Sequence, residues 1–114
     1  MPREDSALLL DMLLASRDAL SFTEGLSFDD FVEDRRMQLS VLKSVEIVGE
    51  AAAQMSEDTR QANPDIPWRG IVGMRNRLVH AYFDIDYPLV WKTVRHELPD
   101  LIARLETLVP PEAG

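Results

Sequence analysis

Apolar residues recur every three to four positions along most of this chain, and the strict alternation of a half-buried strand is missing. A first helix is expected from about Glu4 to Leu20. Leu9, Leu10, Leu13, Leu14 and Leu20 form its inner stripe, and Arg17 and Asp18 lie on the wet side. Ser21 to Ser27, with Gly25, reads as a turn. Ser27 followed by Phe28-Asp29-Asp30 has the form of an N-cap with acids in the first turn, where the helix dipole favours them. The second helix is expected to be long, from about Phe28 to Met55, with Phe31, Val41, Leu42, Val45, Val48, Ala52 and Met55 inward. The small residues Gly49, Ala51, Ala52 and Ala53 offer a surface to which another helix can come close.

A short helix is expected over Glu57 to Gln61, then a rigid connector, Pro64-Asp65-Ile66-Pro67-Trp68. The third helix is placed from about Trp68 to Ala81, with Pro67 at its start. Asp84-Ile85-Asp86 breaks it, Asp86 caps the fourth helix, and Pro88 falls in the first turn. That helix carries Val90, Trp91, Val94, Leu98, Leu101, Ile102, Leu105 and Leu108, and Pro99 is expected to kink it. The predicted fold class is therefore all-α: an antiparallel four-helix bundle with one short extra helix. Residues 1–109 are read as one domain and 110–114 as a frayed tail. Bundles of this size commonly pair about a two-fold axis, so a homodimer is expected.

Composition narrows the function. The 114 residues suffice for one core, and 46% of them are apolar. Cysteine is absent, which excludes disulfides and thiolate metal sites and fits a reducing cytoplasm. Acids at Glu4 and Asp5 argue against a signal peptide, and the apolar runs are too short to span a membrane. The formal net charge of −8 opposes a role on nucleic acid, because phosphate contacts supply most of such affinity. Positive charge is concentrated locally, however: Trp68 to Phe83 holds Arg69, Arg75 and Arg77 and no acid.

Within that stretch lies Arg75-Asn76-Arg77-Leu78-Val79-His80-Ala81-Tyr82. On a continuous helix Asn76 and His80 would be neighbours on one face, so Asn76 could bond one ring nitrogen of His80 and free the other. Arg75 and His80 would stand about 140° apart on such a helix, and two copies crossing at a two-fold axis could surround one cleft. These residue types suit RNA cleavage by transesterification. Histidine can take a proton from a ribose 2′-OH and return one to the leaving 5′ oxygen, and a guanidinium can hold the scissile phosphate. The chemistry needs no metal or cofactor. Arg77 and Arg69 stand equally as RNA contacts and as a solvated face. Glu50 lies among small residues, and is either a carboxylate positioning Arg75 or Arg77 or simply exposed. His96 reads as a surface residue, Trp68 and Trp91 as core, and Asp84 and Asp86 as capping groups rather than a metal pair. Asp29, Asp30, Glu33 and Asp34 read as a solvated acidic face.

The segment from Arg75 to Tyr82 resembles the R-x4-H-x-Y motif of the HepT family in the HEPN superfamily. Arg75, His80 and Tyr82 fill its fixed places, with Asn76 as the usual polar neighbour. Gly49-Glu50-Ala51-Ala52, the stretch from Pro67 to Met74, and Phe83, Asp86 and Trp91 resemble the family's flanking features. The resemblance covers about residues 40 to 105. It implies a homodimeric, metal-independent ribonuclease toxin with a composite site, acting on RNA in the cytoplasm. It also implies a nucleotidyltransferase antitoxin of the MntA type, which in some pairs transfers AMP from ATP to the motif tyrosine, here Tyr82. The other reading is a non-catalytic module that binds a nucleotidyltransferase or a nucleotide, and the −8 charge favours it.

Overall fold

Helix α1 (Arg3–Phe22) lies against α3 (Arg35–Gln54), and their facing stripes supply most of the core: Leu9, Met12, Leu13 and Ala19 from one, Val41, Val45, Val48 and Ala52 from the other. The computed structural model describes residues 3–81 and 84–111, without the side chains of Arg3, His80 and Ala81. Between α1 and α3 sits the short α2 (Phe28–Glu33). After α3 come α4 (Glu57–Ala62), α5 (Trp68–Val72) and α6 (Met74–Leu78), then two short strands, β1 (Val79–Ala81) and β2 (Asp84–Ile85). The chain closes with α7 (Tyr87–Lys92), a π-helical turn over Thr93–Glu97, and α8 (Leu98–Glu106). The fold is all-α, as expected.

Side-chain contacts fix the relative directions. Asp5, near the start of α1, accepts hydrogen bonds from the Ser56 amide at 3.1 Å and from the hydroxyls of Ser56 and Thr59. The start of α1 is thereby tied to the end of α3 and the cap of α4, so α1 and α3 run antiparallel. Arg95 donates to Thr23 at 3.2 Å, and Arg17 donates to Glu106 at 3.3 Å. The final helical run therefore also passes antiparallel to α1.

The caps predicted at Ser27 and Asp86 are present, whereas Asp84, also read as a capping group, lies in β2. Ser27 accepts from the Asp30 amide and Asp30 returns the bond to the Ser27 amide, a complete capping box on α2. Asp86 accepts from the Leu89 amide at 3.1 Å and starts α7, with Pro88 in its first turn. Gly25 takes φ 79° in the turn after α1, a backbone region that disfavours any Cβ. His96 is exposed and Trp68 is buried; Trp91 is half-buried and packs its ring 5.6 Å from that of Phe31 and 6.0 Å from that of Phe28.

Three expectations need correction. The long second helix is two helices broken at Asp34, which ends α2 in an extended conformation and caps α3 by accepting from the Met37 amide at 3.0 Å. Buried Gln38 closes the break by donating to the Val32 carbonyl and to the Phe31 carbonyl, which also accepts the Asp34 amide at the end of α2. Leu14, assigned to the inner stripe of α1, is 43% exposed. Most important for function, the third helix does not continue to Ala81. It bends at Gly73 and stops at Leu78, and β1 and β2 pair antiparallel with Val79 opposite Ile85. The Asp86 amide donates to the Leu78 carbonyl at 2.8 Å. In the fourth helix, the disturbance expected of Pro99 takes the form of the π-helical turn just before it. Proline has no N–H to donate and crowds the carbonyl four residues back, here that of Arg95 within the turn.

Small residues on α3 let α5 come close, as predicted. A Cβ added at Gly49 would stand 3.2 Å from the Ile71 carbonyl oxygen, a backbone atom with little freedom to retreat. Replacing Gly49 with Val is expected to destabilise the fold by about 1–3 kcal/mol through overpacking. The measurement is the urea midpoint; an unchanged midpoint overturns the close-approach account.

A second prediction concerns acid. Hydrogen bonds from the Ser56 and Thr59 side chains, with the Ser56 amide, hold the buried Asp5 carboxyl below its ordinary pKa of 3.8. Folding thus favours the carboxylate. Its stabilising contribution is present above the unfolded-state pKa and is lost as pH falls through the lower folded-state value. Urea midpoints measured between pH 6 and pH 2 should fall at the acid end, and more steeply in the wild type than in Asp5→Asn. Equal slopes would leave the Asp5 link without support.

Candidate active site

Arg75 lies in the single turn of α6, and its direction follows from how α5 and α6 lean on α3. The close approach at Gly49 sets α5 against α3, and α6 follows across the bend at Gly73. Met74 and Leu78 are buried, which leaves Arg75, Asn76 and Arg77 exposed. Arg75 faces α3: its Nε lies 3.9 Å from a carboxylate oxygen of Glu46. Arg77 points elsewhere, donating at 3.0 Å to the Gly70 carbonyl and bordering a small cavity with Thr93, Glu97 and Leu98. The two arginines flanking Asn76 therefore serve different faces of this chain.

Arg75 borders a groove of about 280 Å³ between α3 and the hairpin. Val79 and Ile85, paired across β1 and β2, give it an apolar border together with Leu39 and Leu42. Among the described residues its charged ones are Arg35, Lys43, Arg75 and Glu46, three cations against one acid. His80 follows Val79 in β1, so its backbone belongs to the hairpin that borders the groove. Arg75 and the His80 backbone are thus brought to one region by a turn of helix and a strand, rather than by a continuous helix.

The helical neighbour relation between Asn76 and His80 does not hold. From Val79 the chain is extended and advances about 3.3 Å per residue instead of 1.5 Å, so a four-residue separation no longer places side chains on one face. The 140° relation between Arg75 and His80 lapses for the same reason. Tyr82 and Phe83 lie outside the described residues, as does the His80 side chain. Glu50 is exposed, and the carboxylate beside Arg75 is that of Glu46, one turn earlier on α3. Arg69 is exposed on α5 and does not border the Arg75 groove.

Arg35, Lys43 and Glu46 were not singled out from sequence. The available signal was their spacing: positions 35, 39, 42, 43 and 46 fall on one side of a helix. Among the described residues no three His, Asp or Glu side chains cluster as metal ligands do, and no helix is long and apolar enough to cross a membrane.

Comparison with known proteins agrees with the motif. A family model described as ribonuclease HepT-like matches residues 12–108. A Thermococcus cleftensis protein provisionally named ribonuclease HepT is 37% identical over 108 residues, covering 95% of this chain and 98% of that protein. A Methanocaldococcus jannaschii protein provisionally named an RNase is 36% identical over 115 residues, covering 100% and 95%. Another such RNase, from Caldanaerobacter subterraneus, is 35% identical over 89 residues, covering 78% and 80%. No solved structure matches significantly. With its motif in place and nearly its whole length matched, the chain belongs to the HepT-like ribonuclease family.

Proposed function

We propose that this protein is a metal-independent endoribonuclease, the toxin of a toxin–antitoxin pair, acting in the cytoplasm as a two-fold homodimer. The observation that carries the reading is the place of Arg75: exposed, at a cation-rich groove, beside the strand that holds His80. Family membership supplies the substrate class.

In this mechanism His80 accepts the proton of a ribose 2′-OH as the 2′ oxygen attacks the adjacent phosphorus. The 5′ oxygen leaves and takes a proton from a histidine, the His80 of the second copy serving that role. A cyclic phosphate and a free 5′-OH result. Arg75 binds the phosphate and stabilises the charge that grows on the phosphorane. Its neighbour Glu46 holds the guanidinium near α3 without closing the groove, because the Arg75 side chain stays 56% exposed. Asn76 remains a candidate for orienting His80, now across the bend between α6 and β1 or from the second copy. Arg77 and Arg69 are secondary candidates for RNA phosphates outside the groove, and for exposed Glu50 the alternative of plain exposure is the one favoured, since Glu46 is the carboxylate beside Arg75.

Control is assigned to Tyr82. A nucleotidyltransferase antitoxin of the MntA type transfers AMP to it: the phenolic oxygen attacks the α-phosphorus of ATP, pyrophosphate leaves, and the phenol proton goes to solvent. The added phosphate would compete with RNA for the arginines of the motif. The net charge of −8 keeps a second reading in view, a non-catalytic module that binds the nucleotidyltransferase or a nucleotide.

The deciding assay is RNA cleavage with excess chelator. Wild type should cut, and His80→Ala and Arg75→Ala should each lose about 10²–10⁴-fold in rate while keeping the wild-type circular dichroism spectrum. Cleavage retained by His80→Ala removes the mechanism; a wild type that cuts no RNA passes the lead to the interaction module. Intact mass spectrometry after co-expression with the antitoxin should show one AMP added per chain in wild type and none in Tyr82→Phe. Modification persisting in that variant would move the control point elsewhere.

A further inference from the structure

The groove at Arg75 extends beyond the motif. Its α3 wall presents Arg35, Leu39 and Lys43, separated by four residues each and so aligned along one side of the helix. Arg35 and Lys43 are exposed, and Leu39 between them is 50% exposed, the highest value among the large hydrophobic residues left on the described surface. Eight residues of helix separate the two cations, about 12 Å along the axis, too far for both to serve one phosphate. Arg75 stands across from them, on the other wall. Among the described residues the groove therefore carries three separated positive charges and one carboxylate in a chain whose net charge is −8. The excess of acid lies outside it.

We infer that Arg35, Leu39 and Lys43 form a track for single-stranded RNA leading to Arg75. This inference rests on the ribonuclease reading above. Arg35 and Lys43 hold phosphates on successive parts of the strand, and Leu39 gives a ribose or base an apolar surface between them. Spaced cations in a groove are the usual means of following a flexible backbone without reading sequence. A single strand suits the track, because a flexible backbone can follow cations set about 12 Å apart and still bring a phosphate to Arg75. Lysine and arginine contribute by displacing counterions, so each contact carries its own salt dependence.

The test separates this track from the chemistry. Binding of a labelled oligouridylate is measured by fluorescence anisotropy with full-length His80→Ala protein, at several salt concentrations. Adding Arg35→Ala or Lys43→Ala should weaken binding about 3- to 10-fold each and reduce the slope of log K against log salt by about 0.7 per cation. Lys43→Arg, which keeps the charge, should bind as its parent does. Arg104→Ala, on α8 beside Asp65, should leave binding unchanged. In otherwise wild-type protein, Arg35→Ala and Lys43→Ala should lower kcat/KM mainly by raising KM. Unchanged affinity and slope in both alanine variants overturn the track. So does a change in sedimentation that leaves RNA affinity intact, since that outcome assigns the groove to contact between two copies. A wild type that fails to cut RNA defeats the ribonuclease reading separately. Anisotropy then still decides the track: binding that depends on Arg35 and Lys43 upholds it, and absence of binding overturns it.

Discussion

The close contact between α3 and α5 at Gly49 governs the position of everything on the functional face. Without a side chain at that point the helices approach until the space for a Cβ is only 3.2 Å from the Ile71 carbonyl. A few ångströms more would lift α5 and carry α6 with it. Arg75 would then leave Glu46, and the groove wall formed by Val79 and Ile85 would separate from Lys43 and Leu39. The contact lies inside a continuous core, with Val45 and Val48 on one side and Ile71, Met74 and Leu78 on the other, so its geometry is held by packing density rather than by a single bond.

Rigid packing on one side contrasts with short, broken elements on the other. From Trp68 to Ile85 the chain uses two helical pieces of five residues each and two strands of three and two. Such pieces have little stability of their own and depend on the anchors they bury: Trp68, Ile71, Met74, Leu78 and Ile85. Exposed Arg69, Arg75, Asn76 and Arg77 stand between these anchors, and they are among the residues assigned chemistry. This division gives Arg75 and the β1–β2 hairpin a fixed base while leaving the side chains at the groove free to meet a substrate.

Much of this was legible in the sequence, and the failures have definable causes. Ser27 and Asp86 announced their caps because a side-chain acceptor before an amphipathic run is a local signal. Gly49 announced close approach because only its size mattered. The break at Asp34 was hidden: the apolar stripe runs on through Phe31 and Val41, and the deciding partner, Gln38, acts through a buried bond to α2 carbonyls. The end of α6 was hidden for a related reason. Leu78-Val79-His80-Ala81 is too short to distinguish a period of 3.6 from one of 2. What selects the strand is the pairing of Val79 with Ile85, six residues later, together with the bond from the Asp86 amide to the Leu78 carbonyl. Glu50 drew attention over Glu46 because its neighbours are small. The two differ by about 40° around the helix and one turn along it, and only the position of α6 decides which carboxylate meets Arg75.

Net charge and local charge then give opposite answers, and local charge carries the functional argument. At physiological salt the field of an exposed charge fades over about 8 Å, so acids far from the groove weigh little against the cations lining it, while Glu33 and Asp34 stand beside Arg35 in the chain. Several of those acids are also committed to structure: Asp5 to Ser56 and Thr59, Asp30 to the α2 cap, Asp34 to the α3 cap. An acidic exterior around a cationic groove has a further consequence. Under the proposed ribonuclease reading, nonspecific adsorption to nucleic acid would be weak over most of the surface, and a strand would be held where it reaches the groove, beside Arg75 and the backbone of His80.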